Sequence, residues 1–208
     1  MENYVFENNK VTLVGEAVTD FSFNHEVFGE GFYTFEVAIE RSSGFVDYIP
    51  VMVSERLLDI SKDIRGSFVC VNGQFRSFNK HEETRSRLVL TVFAREIETL
   101  ENNDYEEVNQ VFLDGFVCKQ PTYRKTPFGR EITDLLLAVN RGYGKSDYIP
   151  CVLWGRNAKY GATFEVGTEV QVVGRLQSRT YTKVISETES EERVAYEISV
   201  GKIEVQEE

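Results

Sequence analysis

The 208-residue sequence has no apolar run approaching the roughly 18 residues that a membrane-spanning helix requires. Its opening, Met1-Glu2-Asn3-Tyr4, lacks the basic-then-apolar order of a secretory signal, so the chain is expected to stay in the cytoplasm. Cysteine is scarce: Cys70, Cys118 and Cys151 are odd in number, far apart and set in apolar runs. That argues against a disulfide framework or a zinc knuckle and for reduced structural thiols. The two histidines, His25 and His81, stand near no convincing Cys, Ser or Asp constellation, and neither a phosphate-cradling glycine loop nor paired metal ligands occur. No catalytic centre, metal or cofactor is therefore expected, and Thr126-Pro127-Phe128-Gly129-Arg130 reads as a hairpin turn. Positive charge is also short, with a formal net charge of −11, which argues against indiscriminate binding to nucleic acid. The deficit is uneven. Residues 1–105 hold 10 basic and 18 acidic side chains, the remainder 13 and 16, and in that second half Glu187, Glu189, Glu191 and Glu192 crowd one polar stretch that reads as a solvated loop tip.

What the chain does have is aromatic and β-branched residues: fifteen Phe, ten Tyr and abundant Val against four Pro, a β-rich globular composition. It also repeats itself. Asn9-Lys10-Val11-Thr12-Leu13-Val14-Gly15 aligns with Asn109-Gln110-Val111-Phe112-Leu113-Asp114-Gly115, and Asp47-Tyr48-Ile49-Pro50 with Asp147-Tyr148-Ile149-Pro150, at a constant offset of 100. Phe28-Gly29, Arg41 and Gly44 match Phe128-Gly129, Arg141 and Gly144 at the same offset, and Gly73 pairs with Gly174 after a small drift. The expected organisation is a first domain over 1–100, an acidic linker over 101–108 and a second domain over 109–206.

Each copy reads as strands. In the first they are Val11–Ala17, Tyr33–Arg41, Tyr48–Ser54, Ser67–Phe78 and Arg87–Ile97, with room for a short helix in Glu55–Ile64, or in Arg156–Phe164 of the second. Five strands with at most one short helix is the recipe of the OB fold, so the chain is expected to be all-β, two tandem five-stranded Greek-key barrels.

Alternation along the third strand of the second copy puts Ile149, Cys151 and Leu153 on one face and Tyr148, Val152 and Trp154 on the other. The fourth strand separates Val170, Val172 and Leu176 from Arg175, Arg179 and Tyr181 in the same way. Aromatics outside a small barrel need a cover, and stacked bases provide one at roughly 1–3 kcal/mol each. Guanidinium groups beside them suit phosphates. Tyr143, in the turn after Arg141 and next to Lys145, adds another ring. Taken alone, a single tryptophan is more often a partly buried core residue, and Arg175 and Arg179 could be plain solvated surface; it is their combination on one face that points to binding.

The second copy resembles the bacterial single-stranded DNA-binding protein family. The resemblance runs in order through Asn109–Gly115, Thr126–Gly129, Leu137–Arg141, Asp147–Arg156, Gly167-Thr168 and Gly174–Tyr181. It implies base stacking on four surface positions, which fall on Tyr143, Tyr148, Trp154 and Tyr181. With Arg141, Lys145, Arg156, Arg175, Arg179 and the first copy's Tyr48, these form the expected nucleic-acid-binding set. The first copy's counterparts of the four positions are Ser43, Tyr48, Ser54 and Lys80, with Phe45 and Phe78 nearby, so it is expected to be a weak or mainly structural copy. The resemblance further implies sequence-tolerant binding of single-stranded DNA, RNA being the open alternative, in replication, recombination or repair. It implies a nucleoid-associated homodimer presenting four barrels, with no membrane or small-molecule partner. The chain stops at Val205-Gln206-Glu207-Glu208, without the family's acidic Phe-terminated tip, so recruitment of other proteins through such a tip is not expected. The rival expectation is a protein-interaction or scaffolding module that kept the barrels and lost the DNA.

Overall fold

A computed structural model describes residues 7–82, 85–101, 106–185 and 190–206; the side chains of 80–87 lie outside that description, as do 102–105 of the expected linker and Glu187 and Glu189 of the acidic run. In the first copy the strands are β1 (Asn9–Ala17), β2 (Ser22–Val27), β3 (Glu30–Glu40), β4 (Val46–Ser54), β5 (Phe68–Glu82) and β6 (Arg85–Thr99). The second copy has β7 (Val108–Val117), β8 (Thr122–Lys125), β9 (Glu131–Arg141), β10 (Lys145–Trp154), helix α1 (Gly155–Gly161), β11 (Glu169–Val184) and β12 (Ser190–Val205).

In the first copy β1 pairs with both β3 and β5, β3 with β4, β4 in parallel with β6, and β6 with β5, so five strands close on themselves. The second copy closes identically through β7, β9, β10, β12 and β11. These are two tandem OB barrels, as the strand spacing predicts. The alternation holds for the inner face, where Ile149, Cys151 and Leu153 are buried, and so are Val170, Val172 and Leu176; Val152, expected outside with Tyr148 and Trp154, is buried as well, because the end of β10 is covered on both sides. Each such side chain contributes about 1.5–3 kcal/mol by leaving water. Closure brings the first strand very near the third. A Cβ on Gly15 would lie 2.4 Å from the Ala38 carbonyl oxygen, and one on Gly115 2.7 Å from that of Ala138, so only glycine permits the approach at this repeated position.

Two features differ from expectation. Strands β2 and β8 are additional; each makes a hairpin with the next strand and every residue in them is exposed, so they carry no apolar alternation to read. The first copy has turns where a helix had room. There the carboxylates of Asp59 and Asp63 accept from the backbone N–H groups two residues on, at Ser61 and Arg65, which offers the chain an alternative to helical bonding. In the second copy the helix forms, is short, and is anchored by the Thr133 hydroxyl donating to the Ala158 carbonyl at 2.7 Å.

The barrels meet through β1 and β7, paired antiparallel with Val11 opposite Val111, Asn9 opposite Leu113 and Leu13 opposite Asn109. Val11 and Val111 are equivalent residues, so the seam is an internal two-fold. Flanking contacts obey it. The Asn9 side chain bonds both backbone groups of Phe75 at 2.8 Å, and Asn109 does the same to Leu176 at 2.7 and 2.8 Å.

Candidate nucleic-acid interface

Trp154 ends β10 and projects from the outside of the barrel, where its indole N–H donates to the Ser199 hydroxyl on β12 at 3.1 Å. The ring is 37% exposed, so it has a fixed orientation and a free surface. It lines a cleft of about 540 Å³ together with Arg130, Arg175, Arg179 and Glu197. Among the described residues the Arg130 and Arg175 guanidinium groups meet no carboxylate, while Arg179 Nε lies 3.7 Å from Glu197 Oε2. Glu197 also accepts from the Gln177 amide at 2.8 Å, which ties the one carboxylate of the cleft to the wall. The far wall belongs to the first copy: Arg41, Ser42 and Ser43. Ser43, expected only as a lost stacking position, thus faces Trp154's cleft.

That far wall is held by a buried carboxylate. Asp47 receives the Arg41 guanidinium through Nε at 2.6 Å and Nη2 at 2.5 Å, and takes the backbone N–H and hydroxyl of Ser178 at 2.7 and 2.8 Å. Burial alone pushes the Asp47 carboxyl up, but the bonds from Arg41 and Ser178 outweigh it and leave it below its ordinary value. By the internal two-fold, Asp147 takes the backbone N–H of Ser77 at 2.8 Å and lies 3.4 Å from Arg141.

Tyr181 sits elsewhere, in a groove of about 940 Å³ that joins the two barrels. Pro50 and Pro150 line this groove, and Phe78 faces it from the first copy as Tyr181 does from the second. The Arg179 guanidinium carbon is 5.6 Å from the Tyr181 ring centre, so this arginine links the groove to the Trp154 cleft. Tyr48 and Tyr148 are both about half exposed (49% and 46%) and line neither; Tyr148 shares the outer face of β10 with Pro150, while Asp147 before it is buried. Phe45 packs under Arg41, 4.4 Å from ring centre to guanidinium carbon.

Tyr143 is fully exposed at φ +62 in the turn between β9 and β10, and lines a third cavity, of about 960 Å³, with Arg141 and Lys145. Seven of the ten expected residues are therefore spread over three separate hollows, and Tyr48 and Tyr148 line none of them. Arg156, exposed on α1, lines none of them. Lys80 lies outside the described side chains. Sequence reasoning missed Arg41, Arg130 and Ser199. The duplication carried a usable signal for Arg41, the repeat equivalent of Arg141, whereas Ser199 reaches Trp154 only through the parallel pairing of β10 with β12.

Residues 108–206 match the Single-strand binding protein family. Single-stranded DNA-binding protein B of Bacillus subtilis is 38% identical over 80 residues, covering 35% of this chain and 71% of that protein. Single-stranded DNA-binding protein A of the same organism is 41% identical over 81 residues, covering 36% of this chain and 47% of that protein. The chain spans about half the length of several other curated relatives it matches. Among solved structures, a deletion mutant of the single-stranded DNA binding protein from Thermus aquaticus superposes with a TM-score of 0.77 at 21% identity, covering 96% of this chain and 95% of that one. That likeness of fold extends over both copies, while the family match falls on the second. On the match to the Bacillus subtilis B protein, and with the barrels and outer aromatics in place, the chain belongs to the single-strand binding protein family.

Proposed function

We propose that this protein binds single-stranded DNA with little regard to sequence, stacking bases on Trp154, Tyr148 and Tyr181 and holding phosphates with Arg130, Arg175 and Arg179. One observation carries this reading: an indole held by Ser199 on the floor of a cleft where two guanidinium groups have no carboxylate partner among the described residues. An exposed ring with a fixed plane is a sequence-tolerant platform, because every base has a π-face. Uncommitted arginines supply the phosphate contacts, and they resolve the objection from net charge, since the acidic residues lie largely elsewhere. Tyr143, Arg141 and Lys145 serve the same strand farther along. The setting would be replication, recombination or repair, in the cytoplasm at the nucleoid.

Titrating the protein with an oligo-dT strand tests it. Binding should quench the fluorescence of Trp154, the only tryptophan, and weaken as salt rises with a negative log–log slope. No quenching and no shift at low salt would overturn it. A homodimer presenting four barrels is the assembly we propose, supported by β2 and β8 standing as exposed edge strands at the two ends of the sheet order. Solution mass with and without the oligonucleotide checks it.

A further inference from the structure

The cavity that holds Tyr143 lies at the junction of the two barrels, and its other wall is formed by the first copy's Gln74, Arg76 and Arg95. Arg76 bonds Gln74 Oε1 through Nη2 at 2.8 Å and Nε at 3.3 Å, and Arg95 Nη2 reaches the same oxygen at 3.4 Å. Among the described residues, neither guanidinium meets a carboxylate within ion-pair distance. Both lie over one ring, Phe93, at 4.0 and 5.5 Å from its centre. Phe93 leans on Phe32 at 5.9 Å, and Phe32 stacks on His25 at 4.9 Å and 8°, giving a row of rings across the outside of the first barrel. From the second copy come Arg141 and Lys145. The acids of the cavity are Glu96, which is exposed, and Asp147, already engaged by Ser77 and Arg141. In a chain of net charge −11, cations drawn from both copies are gathered round one hollow.

We propose that this junction cavity is a phosphodiester-binding subsite that carries the single strand from the second barrel onto the first, with Arg76 and Arg95 as its cationic contacts and the Phe93–Phe32 row as its aromatic bed. It rests on the single-strand reading above and deepens it. The arrangement asks for an anion. Burial chiefly, and then the neighbouring Arg95 and Arg141, lower the Arg76 guanidinium to about 10 against the opposing pull of Asp147, and a bound phosphate would offset both the burial and the repulsion. Tyr143 overhangs the hollow from a left-handed turn, placed to cover a nucleotide as it crosses. None of these first-copy residues is equivalent to a stacking or arginine position of the second. Arg76 corresponds to Gln177, Phe93 to Ser199 and Phe32 to Ile132, so the first barrel has an aromatic and cationic surface built on different strands. Far from being mainly structural, it is the second half of the track.

The test is the salt dependence of binding to an oligo-dT of about 30 nucleotides, long enough for two OB folds at roughly 4–16 nucleotides each. Trp154 quenching is followed in the full chain as wild type, as R76Q/R95Q, and as R95E alone, which alters only an exposed side chain. The double variant should lose about 1.4 from the log–log slope, because each phosphate contact on a single strand contributes roughly 0.7. The R95E protein should bind more weakly than wild type at low salt, with the difference closing as salt rises. Wild-type binding with both variants matching its slope and affinity overturns the subsite and leaves the functional reading intact. Absence of wild-type binding overturns both.

Discussion

Asp47 of the first copy accepts the backbone N–H and hydroxyl of Ser178 in the second, at 2.7 and 2.8 Å, while Asp147 of the second accepts the backbone N–H of Ser77 in the first at 2.8 Å. These reciprocal bonds tie β4 of the first barrel to β11 of the second and β10 of the second to β5 of the first, beside the cleft lined by Trp154 and the cavity lined by Tyr143. The seam thus couples the barrels and borders the hollows of the proposed interface.

Removing the Asp47 carboxylate should therefore destabilise the whole molecule. Asp47→Ala leaves the Arg41 guanidinium, which is largely buried, and the Ser178 N–H without their partner, a loss on the order of 3 kcal/mol. Denaturant unfolding followed by tyrosine and Trp154 fluorescence should give a lower midpoint for both barrels. A shift confined to one barrel would mean that the seam does not couple them.

The same carboxyl predicts an acid response. Its value in the fold lies below its ordinary 3.8, so its stabilisation is complete above that pH and disappears as pH falls through the lowered value. Stability should decline as pH drops below about 4, and Asp47→Asn should show a shallower decline from a lower starting point. Equal slopes in the two proteins would remove Asp47 from the account.

Trp154→Ala should weaken oligo-dT binding by about 1–3 kcal/mol, and Trp154→Phe, which keeps a ring, by less. Ser199→Ala should leave the fold intact and reduce affinity by a smaller amount, since it frees the indole to rotate. Because the tryptophan reporter is lost in two of these proteins, filter retention or anisotropy of labelled DNA is the suitable measurement.

Glu197→Gln should tighten binding. The amide oxygen can still accept from Gln177, while the negative charge opposing a phosphate disappears and Arg179 loses its carboxylate neighbour. A several-fold gain at low salt that shrinks as salt rises is expected, because screening weakens the contribution of a single charge. Weaker binding would mean that Glu197 positions Arg179 for the strand.

Tyr143 sits at φ +62, where a bulky side chain is strained. Tyr143→Gly should raise stability by about 0.5–1 kcal/mol and lower affinity, a trade expected where strain serves a ligand. Thermal unfolding and DNA titration of the same sample check both halves.

Much of this was legible in the chain because a barrel strand writes its two faces in alternate letters. Tyr148 and Trp154 opposite Ile149, Cys151 and Leu153 needed no more than counting. The exposed strands β2 and β8 were not, since a strand with no buried face has no alternation. Arg95 was hidden by the bulge opposite Asn72 and Gly73, where the register of β5 with β6 slips by one residue. The scatter of Tyr143, Trp154 and Tyr181 over three hollows depends on how one barrel abuts the other. That is settled by contacts such as Asp47 to Ser178, 131 residues apart in sequence.

Joining both barrels in one polypeptide changes what the β1–β7 seam can do. Two separate chains would part on dilution, whereas here the two edges stay at the high effective concentration set by a short tether. Two identical chains would also have to accept every substitution twice. Here each side can be altered alone, so Trp154 with its arginines can face one way and Arg76 with Phe93 another, without either change being imposed on its twin.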